Sequence, residues 1–298
     1  MTSIPFVHEI DFEYGKAQQV SPLVRRLIAR NPGPFTYTGT GTYIVGRGSV
    51  AVIDPGPLLE EHLDALLETL AGETVSHILV THTHLDHSPL AARLKARTGA
   101  PTWAYGPHGS GRDGGVQVEE GGDTEFAPDH EIRDRDVIEG DGWTMECVHT
   151  PGHTSNHMSF ALREERALFT GDHVMGWSTS VIVPPDGDMG AYMASLDKLL
   201  ARNDEIFWPT HGPPVRDPKP FVRAFIAHRQ AREEQILRCL KEGVGRIPEM
   251  VAVMYRDVDP RLHPAAARSV HAHLVHMVET GRAACEGAPN LDAEYRAV

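Results

Sequence analysis

The sequence predicts an α/β domain with helices packed outside its sheet, followed by a small, mostly helical, winged-helix-like module. Three observations carry this. Short β-branched runs bounded by glycine alternate with stretches of helical period. That alternation stops after Pro213-Pro214 and Asp217-Pro218, beyond which helix dominates. The charge changes at the same place. From Pro214 onward 13 Lys+Arg stand against 11 Asp+Glu, a balance of +2, so the preceding residues carry −15 of a net −13. The expected division is 1–213 and 214–298, a larger and a smaller unit that a chain of 298 residues can support.

The elements follow in order. Residues 42–45 and 49–53 are rich in β-branched side chains and read as strands. Residues 60–71 place Leu63, Leu66, Leu67 and Leu70 on one stripe, a helical period. A strand over 76–81 leads to a helix over 88–98, with Leu90 and Leu94 on one face, and to a short strand over 101–105. Residues 106–122 are glycine-rich and polar and read as a long flexible loop. Strands over 144–149, 157–162 and 167–170, a helix over 191–201 and a strand over 205–209 complete the first unit. Helices are expected over 221–242, 247–255 and 265–280, the last stopped by Gly281. The first carries Arg223, Arg229, Arg232 and Arg238 against Glu233, Glu234 and Glu242, which predicts a solvated, partly self-paired helix. His271, His273 and His276 span more than one face of the last helix and are expected on solvated surface.

Composition narrows the class. Hydrophobic residues are 41% and charged residues 23%, ordinary for a soluble globular protein. No apolar run approaches the ~18 residues of a membrane span. The N-terminus, MTSIPFVHEIDFEYG, lacks the basic and apolar regions of a secretory signal, so a cytoplasmic location is expected. Cys147, Cys239 and Cys285 form no CxxC pair, which predicts neither a disulfide framework nor a thiolate zinc site. Gly39-Thr-Gly41-Thr-Tyr-Ile44 is a poor dinucleotide loop, because strand rather than helix follows it.

The chemistry concentrates in Thr81-His82-Thr83-His84-Leu85-Asp86-His87, between a strand and a helix. His82 and His84 are two apart, so in extended chain both imidazoles project to one side. Asp86 and His87 fall where the chain turns into the helix, and can face a second cation. Three further candidates lie just beyond strands: His153 in HTPGHT, Asp172 in FTGDH and His211 in WPTHGP. Loops at strand ends are where a rigid sheet brings distant residues together.

These residues resemble the metallo-β-lactamase superfamily, with its HxHxDH motif followed by His, Asp and His, over residues 20 to 213. The resemblance implies an αββα sandwich and two metal ions. His82, His84 and His153 would hold the first, Asp86, His87 and His211 the second, and Asp172 would bridge both. Asp54, in Asp54-Pro-Gly56, resembles the family's strand-end aspartate and is expected to orient the site without binding metal. Ligation by His and Asp alone suits two Zn²⁺ per chain, and also fits Mn²⁺ or Fe. Metal ions sharing a carboxylate can hold a hydroxide that attacks a carbonyl or a phosphorus, with Asp86 passing a proton. His157 and His173, beside ligand motifs, are expected to support or pack against the site. Trp177, Ser178 and Ser180 are expected to line its mouth. His108 could reach the site only if the glycine-rich loop folds over it.

The C-terminal stretches His228–Ile236 and His271–Gly281 resemble the winged-helix tail of the beta-lactamase-like protein 2 branch, which includes an endoribonuclease. The TPGHT motif at 150–154 is also similar to glyoxalase II, a thioesterase. The expected activity is hydrolysis of an ester, thioester or lactone-type small molecule. The alternatives are a single-stranded nuclease or phosphodiesterase and weak β-lactamase action. The tail has no dense Lys/Arg stripe with interleaved aromatics, so it is expected to pack on its neighbour or form a homodimer rather than bind nucleic acid.

Overall fold

A computed structural model describes residues 4–109 and 121–298. The first sheet holds seven strands in chain order: β1 (Gln18–Gln19), β2 (Val24–Ile28), β3 (Gly41–Arg47), β4 (Ser49–Ile53), β5 (Thr74–Leu79), β6 (Thr102–Ala104) and β7 (His130–Glu131). β1 to β4 pair antiparallel, and β4 to β7 pair parallel. The parallel crossovers from β4 to β5 and from β5 to β6 are α1 (Glu60–Thr69) and α2 (Leu90–Thr98). α2 stops at Gly99, whose φ of 77° lets its N–H reach the Lys95 carbonyl, a left-handed cap.

The second sheet contains β8 (Val137–Gly140), β9 (Trp143–His149), β10 (Met158–Leu162), β11 (Ala167–Gly171) and β12 (Ile206–Pro209), in the order β12-β11-β10-β9-β8. Only β11 and β12 are parallel, and α3 (Met189–Ala201) crosses between them. The Asp188 carboxylate caps α3 by accepting from the Ala191 N–H.

Strand alternation builds the layers. Tyr43, Val45, Ala51 and Ile53 point inward to meet Cys147, Phe160 and Phe169 of the other sheet. Ile44, Val50 and Val52 point outward under α1 and α2. Val148, Ala161 and Leu168 point outward under α3. The central strands are therefore buried on both faces, and they read in the sequence as continuous apolar runs. The result is an αββα sandwich.

The C-terminal part consists of α4 (Pro218–Lys241), α5 (Ile247–Met254), α6 (His263–Glu279) and a short ladder of β13 (Ala283–Cys285) with β14 (Tyr295–Ala297). α4 serves two cores. Phe221, Val222, Ala224 and Phe225 pack with α3 against the second sheet. Ile236, Cys239 and Leu240 pack with α5 and α6.

Several sequence expectations are corrected here. α4 is not a solvated helix throughout. Arg229 is 4% exposed and Glu233 9%, and both fall on its inward stripe between Phe225 and Ile236. His273 is fully buried rather than on the surface, and His271 and His276 are half-buried. The reason is that Glu233 needs partners. His276 donates from Nδ1 to its Oε1 at 2.7 Å, Arg282 donates to its Oε2 at 2.5 Å, and His273 Nδ1 lies 3.5 Å from Oε1. β2 is not legible as a strand in the sequence because Arg25 and Arg26 interrupt its apolar pattern. Arg25 pairs with Glu73 and Arg26 donates to Gln18, which makes both tolerable in a strand.

Residues 110–120, most of the glycine-rich stretch, lie outside the described residues. Its flanks are tied to the HxHxDH segment: the Leu85 N–H donates to Gly121 O and the Asp123 N–H to Thr83 O. Among the described residues no helix is long and apolar enough to cross a membrane.

Candidate metal centre

The HxHxDH segment leaves β5 and enters α2, and the other candidate ligands follow β9, β11 and β12. All seven converge at one edge of the sandwich. His82 Nε2 lies 3.0 Å from His84 Nδ1, and His153 Nε2 lies 3.1 Å from the same atom. On the other side His211 Nε2 lies 2.9 Å and His87 Nε2 3.3 Å from Asp86 Oδ2. Asp172 Oδ2 stands between the groups, 3.4 Å from His211 Nε2, 3.6 Å from His87 Nε2 and 3.9 Å from His153 Nε2. The donor atoms form three overlapping clusters: His82–His84–His153, His82–His87–Asp172 and Asp86–His87–His211.

The outer nitrogens of the rings decide what the inner ones can do. Thr81 Oγ1 gives its hydrogen to Asp54 Oδ2, so the His82 Nδ1–H donates to Thr81 Oγ1 and leaves Nε2 bare. The His87 Nδ1–H donates to Asp54 Oδ2 at 2.9 Å, and the His153 Nδ1–H to Val181 O at 2.6 Å. His211 Nδ1 faces Gly39 O at 3.3 Å. Four imidazoles thus turn an Nε2 lone pair inward. Nε2 of His87 and Oδ1 of Asp172 are buried without a hydrogen-bond partner among the described residues. Lone pairs and carboxylates facing one another over about 3 Å, a hydrogen-bond spacing, call for shared cations. The residues fit a pair of divalent metal ions, with His, His, His on one side, Asp, His, His on the other and Asp172 reaching both.

Electrostatics agrees. Burial and the neighbouring His153 push His84 down to about 3, and His82 is held well below its usual range by burial and by His87. Such rings stay neutral, the state that ligates metal. Burial alone would raise Asp86 and Asp172, but His87 and His211 outweigh it and hold both carboxyls far below the usual range. Conversely, burial would lower His211, yet Asp172 and Asp86 raise it to about 10. The two carboxylates demand positive charge, and either imidazolium protons or metal ions can meet that demand.

Asp54 is fully buried and accepts four hydrogen bonds, from Thr81 N, Thr81 Oγ1, Thr210 Oγ1 and His87 Nδ1. It stands behind the ligands, not among them. Its backbone φ of +48° is unfavourable for a non-glycine residue by about 1–3 kcal/mol, a strain the four bonds offset. Two glycines are required by close approach. A Cβ at Gly171 would lie 2.5 Å from His157 Nε2, and one at Gly212 2.6 Å from Trp177 Cδ1.

The remaining candidates are placed as follows. His157 is fully buried; it faces Thr150 Oγ1 and accepts from the Asp172 N–H, so it supports the backbone of the central carboxylate. His173 is fully buried against the Tyr192 ring, and burial lowers it to about 3. Trp177 stacks on Tyr37 at 4.9 Å and, with Ser178, is partly exposed. Ser180 is buried, and its hydroxyl donates to Asp172 O at 2.6 Å. His108 does reach the HxHxDH segment, with Nδ1 2.9 Å from Thr83 Oγ1.

Sequence reasoning missed Thr81, Thr210 and Asn156. Each is a small polar residue within three positions of a candidate ligand, and Asn156 donates to Thr83 Oγ1. That adjacency is the available signal.

The model of the Metallo-beta-lactamase superfamily matches residues 37–211, and that of the Beta-lactamase associated winged helix domain matches residues 247–290. The chain belongs to the metallo-beta-lactamase superfamily. Hydrolases of this superfamily bind divalent metals, and the His/Asp cluster is compatible with a dinuclear site. Lactamase-like protein adaB of Aspergillus niger is 30% identical, over 92% of this chain and 86% of its own length. The atrochrysone carboxyl ACP thioesterase AgnL7 of Paecilomyces divaricatus is 34% identical, over 81% and 73%. The beta-lactamase-like protein 2 homolog of Caenorhabditis elegans is 34% identical, over 76% and 73%. The fold is shared with a beta-lactamase domain protein from Burkholderia ambifaria, at a TM-score of 0.77 and 20% identity, over 95% of this chain and 94% of that one.

Proposed function

We propose that this metallo-beta-lactamase superfamily hydrolase works with two Zn²⁺ ions on an ester, thioester or lactone-type small molecule. The observation that carries the reading is the convergence of His82, His84 and His153 on one point and of Asp86, His87 and His211 on another, with Asp172 between them. A relative named as an acyl carrier protein thioesterase favours a thioester over the other carbonyl substrates. The strongly acidic stretch before Pro214 disfavours a polyanionic nucleic acid.

His82, His84 and His153 would hold one ion, and Asp86, His87 and His211 the other. When bound, such a pair supplies Lewis acidity and lowers the pKa of water from about 15.7 towards about 7. The protein's residues do the rest. Asp54 and the carbonyls of Gly39 and Val181 fix ring orientation. Asp86, 4% exposed and beside His87 and His211, takes up and returns the proton that hydrolysis moves. Trp177, stacked on Tyr37 and packed against Gly212 beside His211, would line the mouth.

The test is a turnover assay of zinc-loaded enzyme and its Asp172→Ala variant on a thioester, a lactone, a β-lactam, bis-p-nitrophenyl phosphate and single-stranded RNA. Thioester turnover that the variant loses, together with its metal, is the expected outcome. RNA or phosphodiester cleavage lost in the variant would replace this reading with a nuclease. Full activity in Asp172→Ala would end the two-metal assignment.

A further inference from the structure

We propose that Arg229 of α4 is a positioning residue for the metal centre, so that the C-terminal part of the chain completes the site. The inference rests on the metal-centre reading above. Arg229 lies beyond the last candidate ligand in sequence and is 4% exposed. Its Nη2 donates to Ser180 O at 2.5 Å. Ser180 and Val181 are the points at which this loop hydrogen-bonds Asp172 and His153. The Ser180 hydroxyl donates to Asp172 O at 2.6 Å, and Val181 O accepts from His153 Nδ1 at 2.6 Å. The same guanidinium sits 5.1 Å from the centre of the Tyr192 ring, whose hydroxyl donates to His173 O at 2.9 Å. One buried cation therefore holds the peptide between the Asp172 contact and the His153 contact, and backs the residue that follows Asp172.

Residues 176–182 belong to no helix or strand, so no ladder of backbone bonds fixes them. Without Arg229 the Ser180 carbonyl loses its buried donor, and the loop is free to shift. α4 itself is fixed from its far side: Glu233, one turn on, is bound by His276 and Arg282. α4 thus links the Glu233 cluster to the loop that touches His153. The brace is also one-sided. The one ligand ring it reaches is His153, through Val181 O, and at Asp172 it meets only the backbone carbonyl, whereas His87 is oriented by Asp54 and His211 faces Gly39 O. Loss of Arg229 should weaken the His82–His84–His153 ion far more than its neighbour. A general loss of stability would weaken both alike.

The experiment uses the full chain stripped of metal, titrated with Zn²⁺ against a chromophoric chelator, with Co²⁺ visible spectra as a second readout. In Arg229→Gln one of the two equivalents should bind about 10–100-fold more weakly and the other within about twofold. Arg229→Lys should recover most of the loss. Arg223→Gln, exposed on the same helix, should change neither. If Arg229→Gln fails to fold, Arg229→Met, of similar length and without the donor, carries the test with the same one-sided weakening expected. Unchanged binding of both equivalents, or equal weakening of both, overturns the proposal. Asp172→Ala separates the two readings. If it keeps both equivalents, the metal centre itself is wrong. If it loses them while Arg229→Gln does not, only the role of Arg229 falls.

Discussion

Around Glu233, two histidines and an arginine converge on one carboxylate. Around Asp172, five histidines and Asp86 converge, and no Lys or Arg among the described residues makes an ion pair with Asp54, Asp86 or Asp172. Both clusters set histidines against acids, the inner one, around Asp172, buried and the outer one partly open at His276 and Arg282. In the first the rings point hydrogens at a carboxylate and Arg282 neutralises it, so the charge of the acid is met by protein groups, although His273 Nε2 is buried without a hydrogen-bond partner among the described residues. In the second, Asp54 and two backbone carbonyls take the outer hydrogens and turn lone pairs inward. A histidine beside an acid is thus no metal site in itself. The direction of the second ring nitrogen decides.

Metal removal should separate the clusters most. An ion that binds only the folded state at a thousandfold its Kd stabilises by about 4 kcal/mol. Urea unfolding with and without chelator should therefore show a drop of at least that size. An unmoved midpoint would mean that the inner cluster neutralises itself as the outer one does.

Next in size is Asp54→Ala, which leaves His87, Thr81 and Thr210 without their common acceptor. Metal affinity should fall by about 10–100-fold, by chelator competition, although Asp54 is no ligand. Unchanged affinity would show that ring orientation is set elsewhere.

Smallest is Glu233→Gln, expected to cost about 1–2 kcal/mol at pH 7 and to leave metal affinity unchanged. Burial alone would raise the Glu233 carboxyl, but bonds from His273, His276 and Arg282 hold it below the carboxylate range. Its contribution is therefore present above the unfolded value of 4.5 and is lost as pH falls further. His273, held down to about 4 by burial, is neutral when folded but protonated when unfolded between 6.5 and about 4, so it too loses stability on acidification. In metal-free protein the gap between the variant and the parent chain should narrow below pH 4.5. A gap that widens would contradict this sign.

The inner cluster was largely legible in the sequence, because each ligand sits in a short motif at a strand end: HxHxDH, HTPGHT, TGDH, PTHG. Asp54 was legible through Asp-Pro-Gly. The outer cluster is masked in the sequence, because the Arg- and Glu-rich composition of α4 points to a solvated helix. Spacing tells more: Val222, Phe225, Arg229, Glu233, Ile236 and Leu240 form one helical stripe, and charges on such a stripe are buried and partnered. The contact through the Val181 carbonyl was not legible, since a backbone oxygen leaves no mark on residue identity. β13 and β14, three residues each, are too short to show a period.

The span from His82 to Arg229 also sets an order of events during synthesis. At 5–20 residues per second, Arg229 is made roughly 7–30 s after His82. Early in that interval the His82–His84 pair exists without His153, Asp172 and His211, which are added in turn before Arg229, and affinity for such a fragment follows the general ranking of divalent metals rather than the geometry of the finished site. On the proposed metal-centre reading, the choice of ion is thus open to the metal supply while the chain is still growing, until the later ligands and the Arg229 brace are in place.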